Sequence, residues 1–176
     1  MYQINLNLVM EQHFFISNVD IISRLLVAMI LGVLLGIERA VAGKTAGVRT
    51  YALVSIGAAL FVIVSVVVSG WYLGEMSFDP LRVASQIVVG IGFLGAGLIV
   101  FKESHLSGLT TAAGLWVAAG IGMASGFGLF LLAIVATLIT LFVFTVMWFV
   151  EERYIEQGKF KKLYDGSTEH QKHSDN

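Results

Sequence analysis

Five long apolar stretches constrain this chain more than any other feature of its sequence. A helix needs about 20 mostly apolar residues to cross roughly 30 Å of hydrocarbon. Of the 176 residues, 57% are hydrophobic and only 13% are charged, which disfavours a soluble domain. We therefore predict an all-α integral membrane protein, a five-span helical bundle. The spans are expected at about 21–37, 51–69, 81–101, 109–123 and 127–150.

The basic residues predict how these spans are oriented. Cytoplasmic loops carry an excess of Lys and Arg, and in a five-span arrangement nine of these residues fall on one side. The N-terminus is therefore expected outside and the C-terminus in the cytoplasm. A single bent span over 109–150 would place the basic tail beside the acidic loop that holds Glu75 and Asp79, which counts against four spans. The nine are Arg39, Lys44, Arg49, Lys102, Arg153, Lys159, Lys161, Lys162 and Lys172.

The spans divide the chain into three predicted regions. Residues 1–20 are expected to form an outer-surface N-terminal extension, and 21–150 the five-helix transmembrane domain. Residues 151–176 are expected to form a short polar cytoplasmic tail. At the start of the first span, Asp20 lies four residues before Arg24, a spacing that predicts an ion pair on one helix face.

Glycine predicts which spans pack together, because small residues let membrane helices approach closely. Ten of the 19 glycines lie between Gly90 and Gly128, so the third and fourth spans are expected to form the dense centre. The bulky, aromatic fifth span is expected at the periphery. The GxGxxG string at 90–95 lies within an apolar span, which favours packing over dinucleotide binding. The predicted packing residues are Gly32, Gly36, Gly92, Gly95, Ala96, Gly97, Trp116, Ala118, Gly122 and Gly126.

A weak internal repeat appears when the sequence is shifted by 61 residues. Gly36 then aligns with Gly97, and Thr50 aligns with Thr111. A true repeat would run both helical hairpins in the same direction, around an axis along the membrane normal. Chance matches in so biased a composition remain the alternative.

Polar residues near three predicted helix ends define a cytoplasmic-rim site. Threonines at helix starts are expected to cap exposed amides, and Arg49 is expected to pair with Glu38. The alternative is a binding site for a small anion or lipid headgroup, which helix starts attract. The site comprises Glu38, Arg39, Arg49, Thr50, Thr110 and Thr111.

A second polar group, the outer-rim site, contains Asp79, Arg82 and Gln86. Asp79 is expected to be the N-cap of the third span, with Pro80 at its first helical position. Arg82 and Gln86 lie one turn apart and carry polarity into the span. Polar groups within a membrane are costly, so Gln86 is expected either to bond a neighbouring helix or to serve function.

The remaining sequence features argue against other classes of protein. No cysteine is present, which excludes disulfides and thiolate metal sites, and a net charge of -1 gives no support for nucleic-acid binding. Mg²⁺ prefers carboxylate oxygens, yet no Asp or Glu lies in the middle of a span. All four histidines lie outside the spans. We predict no metal site, no cofactor and no enzymatic activity.

Five segments of the sequence form an ordered set of motifs: GIER at 36–39, AGVRT at 46–50, DPLRVASQ at 79–86, GIGFLGAG at 90–97 and GLTTAAGLW at 108–116. Together they resemble the MgtC/SapB family of bacterial inner-membrane proteins. The resemblance implies a five-span, multi-pass protein of the inner membrane linked to magnesium homeostasis at low magnesium, virulence and inhibition of the F-type ATP synthase. By motif matching it also marks the residues of both rim sites and Trp116.

Two functional hypotheses follow. The first is a non-enzymatic regulator that lies in the lipid bilayer and binds another membrane protein, with the F-type ATP synthase as the candidate. The second is a small channel or transporter for magnesium, another cation or phosphate, acting as a homodimer. Capture of a partner favours the first hypothesis, and flux through liposomes favours the second.

Overall fold

The computed structural model describes residues 17–71, 79–102 and 105–150. All five of its helices are long and apolar enough to cross a membrane, which confirms the predicted fold class. The predicted tail and most of the N-terminal extension lie outside these residues. The elements in order are α1 (Asn18–Val41), α2 (Val48–Trp71), α3 (Pro80–Leu98), β1 (Val100–Lys102), β2 (His105–Ser107), α4 (Leu109–Gly126) and α5 (Phe130–Val150).

Local capping sets two of the helix starts. At α1, the Ser17 side chain accepts from the Asp20 amide at 3.2 Å, and the Asp20 carboxylate accepts from the Ser17 amide at 3.2 Å. This capping box occupies Asp20, so the predicted Asp20–Arg24 ion pair is wrong. At α3, the Leu81 amide donates to Asp79 Oδ1 at 2.9 Å and Pro80 opens the helix, as expected.

A two-stranded hairpin follows α3, where the sequence predicted three more helical residues. The backbone is already extended at Ile99, with φ -84° and ψ 112°. Strands β1 and β2 then pair antiparallel, with Val100 opposite Ser107. The hairpin ends at Gly108, whose φ of 88° suits glycine and whose added Cβ would lie 2.0 Å from the Leu98 carbonyl oxygen. Apolar composition continued past the end of the helix, so hydropathy alone placed that boundary too late.

Helices α2 and α4 cross at the centre of the bundle. A Cβ added at Gly122 would lie 2.1 Å from the Ser55 carbonyl oxygen, and one added at Gly126 would lie 2.8 Å from the Ala59 carbonyl oxygen. The two backbones are therefore in direct contact, as small residues allow in membranes. Ala118, on the same helix, is also fully buried.

Helix α1 packs against α2 through its own glycines. A Cβ at Gly32 would lie 2.8 Å from the Tyr51 carbonyl oxygen, and one at Gly36 would lie 2.5 Å from the Val48 Cα. Beside them, the Ser55 hydroxyl donates to the Ala28 carbonyl at 2.8 Å, which ties the two helices together by a hydrogen bond. Helix α4 completes this three-helix core, where half of its apolar window is buried.

Helix α3 is not part of that centre, and the prediction that placed it there is wrong. Only 11% of its apolar window is buried. Ile91 packs with Ala58 and Ala119, and a Cβ at Gly95 would lie 3.6 Å from the Ala112 Cβ. Gly92, Ala96 and Gly97 are exposed instead. The glycine count indicated that close approach was sterically available, but it did not show which helices used it.

Helix α5 crosses from the first compact unit of the chain, residues 1–140, into the second, residues 141–176. Within the first unit it buries Ala133 and Thr137 and exposes Leu131, Leu132 and Leu138. This agrees with the expected lipid-facing position of the fifth span. The second unit is described only over 141–150, where the helix continues.

The two hairpins of the suggested repeat share one local feature. The carbonyls of Gly47 and Gly108 accept from the amides of Tyr51 and Ala112, so α2 and α4 begin alike. Other aligned positions differ, because Thr111 is buried and its counterpart Thr50 is exposed. The repeat therefore stays a prediction.

Candidate functional site

The cytoplasmic-rim site is built around a buried arginine at the end of α1. The Arg39 side chain is only 2% exposed. Its Nε donates to Glu38 Oε2, and its Nη2 donates to Glu38 Oε1 at 2.5 Å. A buried guanidinium needs a carboxylate close by, and the adjacent residue supplies it. The predicted Glu38–Arg49 pair is therefore wrong: Glu38 bonds Arg39, and Arg49 is exposed with no ion pair to any described residue.

Tyr51 links α2 to α4 at the end of the bundle where this charge pair lies. It is fully buried in the first turns of α2, and its hydroxyl donates to the Thr111 carbonyl of α4 at 3.4 Å. Gly36, two residues before Glu38, packs against Val48 at the start of α2, so the end of α1 and the starts of α2 and α4 converge here. Sequence reasoning missed Tyr51. The available signal was a phenol within an apolar run, which usually needs a hydrogen-bond partner.

The threonines do not cap the helices as predicted. Gly108 is the N-cap of α4 and makes no side-chain capping bond. Thr50 and Thr111 each lie third in their helices, one exposed and one buried, and Thr110 is exposed. Three exposed residues therefore lie at the starts of α2 and α4: Arg49, Thr50 and Thr110. Amides at helix starts together with a cation can attract an anion.

The outer-rim residues do not form a closed cluster. Asp79, Arg82 and Gln86 are all exposed. Gln86 makes no hydrogen bond with any described residue, so the expected bond to a neighbouring helix is absent there. Gln86 instead lines an apolar groove of about 560 Å³ between α2 and α3. Trp116, which was expected within the core, is 53% exposed.

Arg24 has a role that the sequence did not suggest. Its Nη1 donates to the Gly126 carbonyl at 2.8 Å, so a cation sits at the C-terminal end of α4. That placement complements the partial negative charge of a helix C-terminus. Gly128, with φ 79°, turns the chain beside it, and a Cβ there would lie 3.2 Å from Arg24 Nη2. The signal was the arginine itself, since a cation within a span needs an acceptor.

Replacing Arg24 by leucine should destabilise the protein modestly. The substitution removes a charge-assisted hydrogen bond and leaves the Gly126 carbonyl without it, at a cost of about 1.5 kcal/mol. Unfolding of the purified protein in mixed micelles measures the change. Arg49→Leu is the matched control, because Arg49 is exposed, and its effect should stay within about 0.5 kcal/mol. Equal losses in both variants would contradict a role for Arg24 in holding α4.

Acidic groups occupy only the helix ends in the described part of the chain. Asp20 and Asp79 lie at helix starts, and Glu38 lies in the last turns of α1. Within residues 17–71, 79–102 and 105–150, no three His, Asp or Glu side chains come together as a metal-binding group.

These features define a multi-pass membrane protein whose spans are all helical. It has a buried charge pair at one end and one helix, α3, with exposed glycines. Residues 25–153 match the family model described as the MgtC family. The chain therefore belongs to the MgtC family, whose members lie in the bacterial inner membrane, as the resemblance implied.

Similar proteins occur in several bacteria. The chain is 44% identical over 132 residues to Escherichia coli K12 YhiD, named "Putative magnesium transporter YhiD". The aligned region covers 72% of this chain and 60% of YhiD. It is 53% identical over 87 residues to "Protein MgtC" of Brucella abortus strain 2308, covering 49% of this chain and 34% of that protein. The chain thus spans less than two thirds of the length of either relative. No solved structure matches it.

Proposed function

We propose that this protein is a non-enzymatic membrane regulator that acts by binding another integral membrane protein through α3. The observation that carries the proposal is the direction in which α3 turns its small residues. Gly90, Gly92 and Gly97 have nothing within 4 Å of an added Cβ. By contrast, Gly32 and Gly36 of α1 and Gly122 and Gly126 of α4 lie against the protein's own helices. Open glycines offer close approach to a helix from outside.

One side of α3 suits a partner helix especially. Ser85, Gly92 and Ala96 are exposed, and they fall within about 40° of one another at 100° per residue. We call this surface the Gly92 flank. Its Gly92 and Ala96 are spaced by four residues, the small-xxx-small pattern that brings two membrane helices into contact. The F-type ATP synthase is the candidate partner, by the family resemblance.

Substituting Gly92 by leucine should abolish binding of the partner. The leucine side chain would stand where the partner's backbone has to approach, while the space around Gly92 within the chain is open. Tagged protein is captured from native membranes, and ATP synthase subunits are detected with antibodies. Cellular ATP is measured during overexpression, and we expect it to fall for the natural chain and to recover toward the uninduced level for Gly92→Leu.

Gly90→Leu is the matched control, because Gly90 is equally open but lies about 200° away around the helix. It should retain the partner. If the natural chain captures no ATP synthase subunit and leaves ATP unchanged, the proposed partner is wrong.

Transport is the second candidate, and the printed name of YhiD favours it. Purified protein in liposomes would then carry magnesium, another cation or phosphate, and Arg49→Ala or Asp79→Ala would reduce the flux. Absence of flux for each of these ions removes this candidate, whereas flux without partner capture replaces the regulator proposal.

A further inference from the structure

The groove between α2 and α3 has an apolar lining with one amide in it. Phe61 and Leu53 of α2 and Leu94 of α3 line its sides, and Gln86 lies on the same surface. Gln86 makes no hydrogen bond within the described residues and lies six residues into α3. At 1.5 Å per residue, this places the amide about 9 Å along the helix. Acyl chains filling the groove would leave that amide without a partner, at a free-energy cost.

Two glycines continue the surface along α3. Gln86, Gly90 and Gly97 fall within about 40° of one another around the helix, and all three are exposed. We call this surface the Gln86 flank. Gly90 and Gly97 are seven residues apart, the repeat that keeps one seam facing a partner helix in a left-handed crossing. The flank therefore has the shape to receive a helix running alongside α3.

The charged residues at the start of α3 favour a partner that carries the same two charges at the same depth. Asp79 and Arg82 are both exposed, and neither forms an ion pair with a described residue of the same chain. They lie at the same end of the helix and carry opposite signs. At 100° per residue, Asp79 and Arg82 fall on opposite sides of Gln86 around the helix. A second α3 related by a two-fold axis along the helices would therefore set each Asp79 on the same side of the contact as the other copy's Arg82, about one turn apart in depth. The surface is thus electrostatically complementary to itself.

We propose that a second copy of this chain docks on the Gln86 flank, with a two-fold axis along the membrane normal. Two copies inserted in the same orientation place every residue at the same depth, so the symmetry brings Gln86 opposite Gln86. A primary amide both donates and accepts, and the pair satisfies itself. A different membrane protein would need its own polar residue at that depth. This dimer uses a different surface from the Gly92 flank and does not rest on the partner proposed above.

Crosslinking tests the dimer directly, because the chain contains no cysteine of its own. Gly90→Cys and Gly97→Cys are expressed separately, and native membranes are oxidised. Both variants should give a disulfide-linked dimer, since close helix contact brings Cα atoms within the roughly 7 Å that a disulfide allows. Gly92→Cys, on the opposite flank of the same helix, should remain monomeric. The proposal would be overturned if Gly92→Cys crosslinked as strongly as Gly90→Cys, or if neither variant crosslinked.

The polar contacts are tested in the Gly97→Cys background, with equal membrane levels of each variant verified. Gln86→Leu should raise the dissociation constant of the dimer about threefold, the typical effect of losing one interhelical hydrogen bond, and so lower the crosslinked fraction. Arg82→Glu should weaken the dimer further by setting two acids against each other, whereas Arg49→Glu at the other rim should not. Unchanged crosslinking in both Gln86→Leu and Arg82→Glu would show that neither contact holds the copies. Gly92→Leu should lose the regulator's partner and keep the dimer, which separates the two proposals.

Discussion

Gly122→Ala is expected to cost about 3 kcal/mol of stability, at the upper end of the usual penalty for overpacking. The new Cβ would lie 2.1 Å from the Ser55 carbonyl oxygen and 2.8 Å from its carbon. These are backbone atoms, so no side chain can rotate away, and α2 and α4 have to separate. Unfolding of the purified protein in mixed micelles, followed by fluorescence of its three tryptophans, measures the loss.

Gly120→Ala is the matched control in the same helix. Nothing lies within 4 Å of a Cβ added there, so its effect on the unfolding free energy should stay within about 0.5 kcal/mol. Similar destabilisation in both variants would mean that alanine affects α4 itself rather than its crossing with α2.

Glu38→Leu is expected to destabilise the protein by about 3 kcal/mol, because it removes the Glu38 carboxylate from a buried guanidinium. Arg39 is 2% exposed and Glu38 is 18% exposed, so water replaces little of the lost interaction. Arg39→Leu alone is expected to be destabilising as well. The same micelle unfolding assay applies to each variant.

The double variant Glu38→Leu with Arg39→Leu should recover most of the loss in Glu38→Leu. Replacing both members of a buried ion pair with apolar side chains is often nearly neutral. The two substitutions and their combination form a double-mutant cycle, and the coupling between them reports the pair. Additive losses would show that Glu38 does not stabilise Arg39.

Charge placement was the most reliable guide to the site, but it identified positions rather than partners. Asp79 was predicted as a cap and is one, because the interaction spans only two residues. Glu38 was predicted to bond Arg49 in the next helix, yet it bonds its own neighbour. Which basic group enters the interior depends on how α1 rotates against α2, and a single sequence does not show that rotation.

Arg24 and Tyr51 illustrate the same limit over longer distances. Arg24 bonds the carbonyl of Gly126, which is 102 positions further along the chain. Tyr51 bonds the carbonyl of Thr111, 60 positions away. Backbone carbonyls carry no side-chain signature, so no pattern of residue types can indicate that a helix end will accept from a distant side chain.

The sequence by itself determined that this chain crosses the membrane in five helices, because twenty-residue apolar runs have few other ways to satisfy their backbone in lipid. It also identified the family through its ordered motifs. Only the tertiary structure decided which glycines are used within the bundle. Gly122 lies against the α2 backbone, whereas Gly90 and Gly92 face outward. Glycine permits close contact in any direction, so the partner of each one depends on the helix packing as a whole.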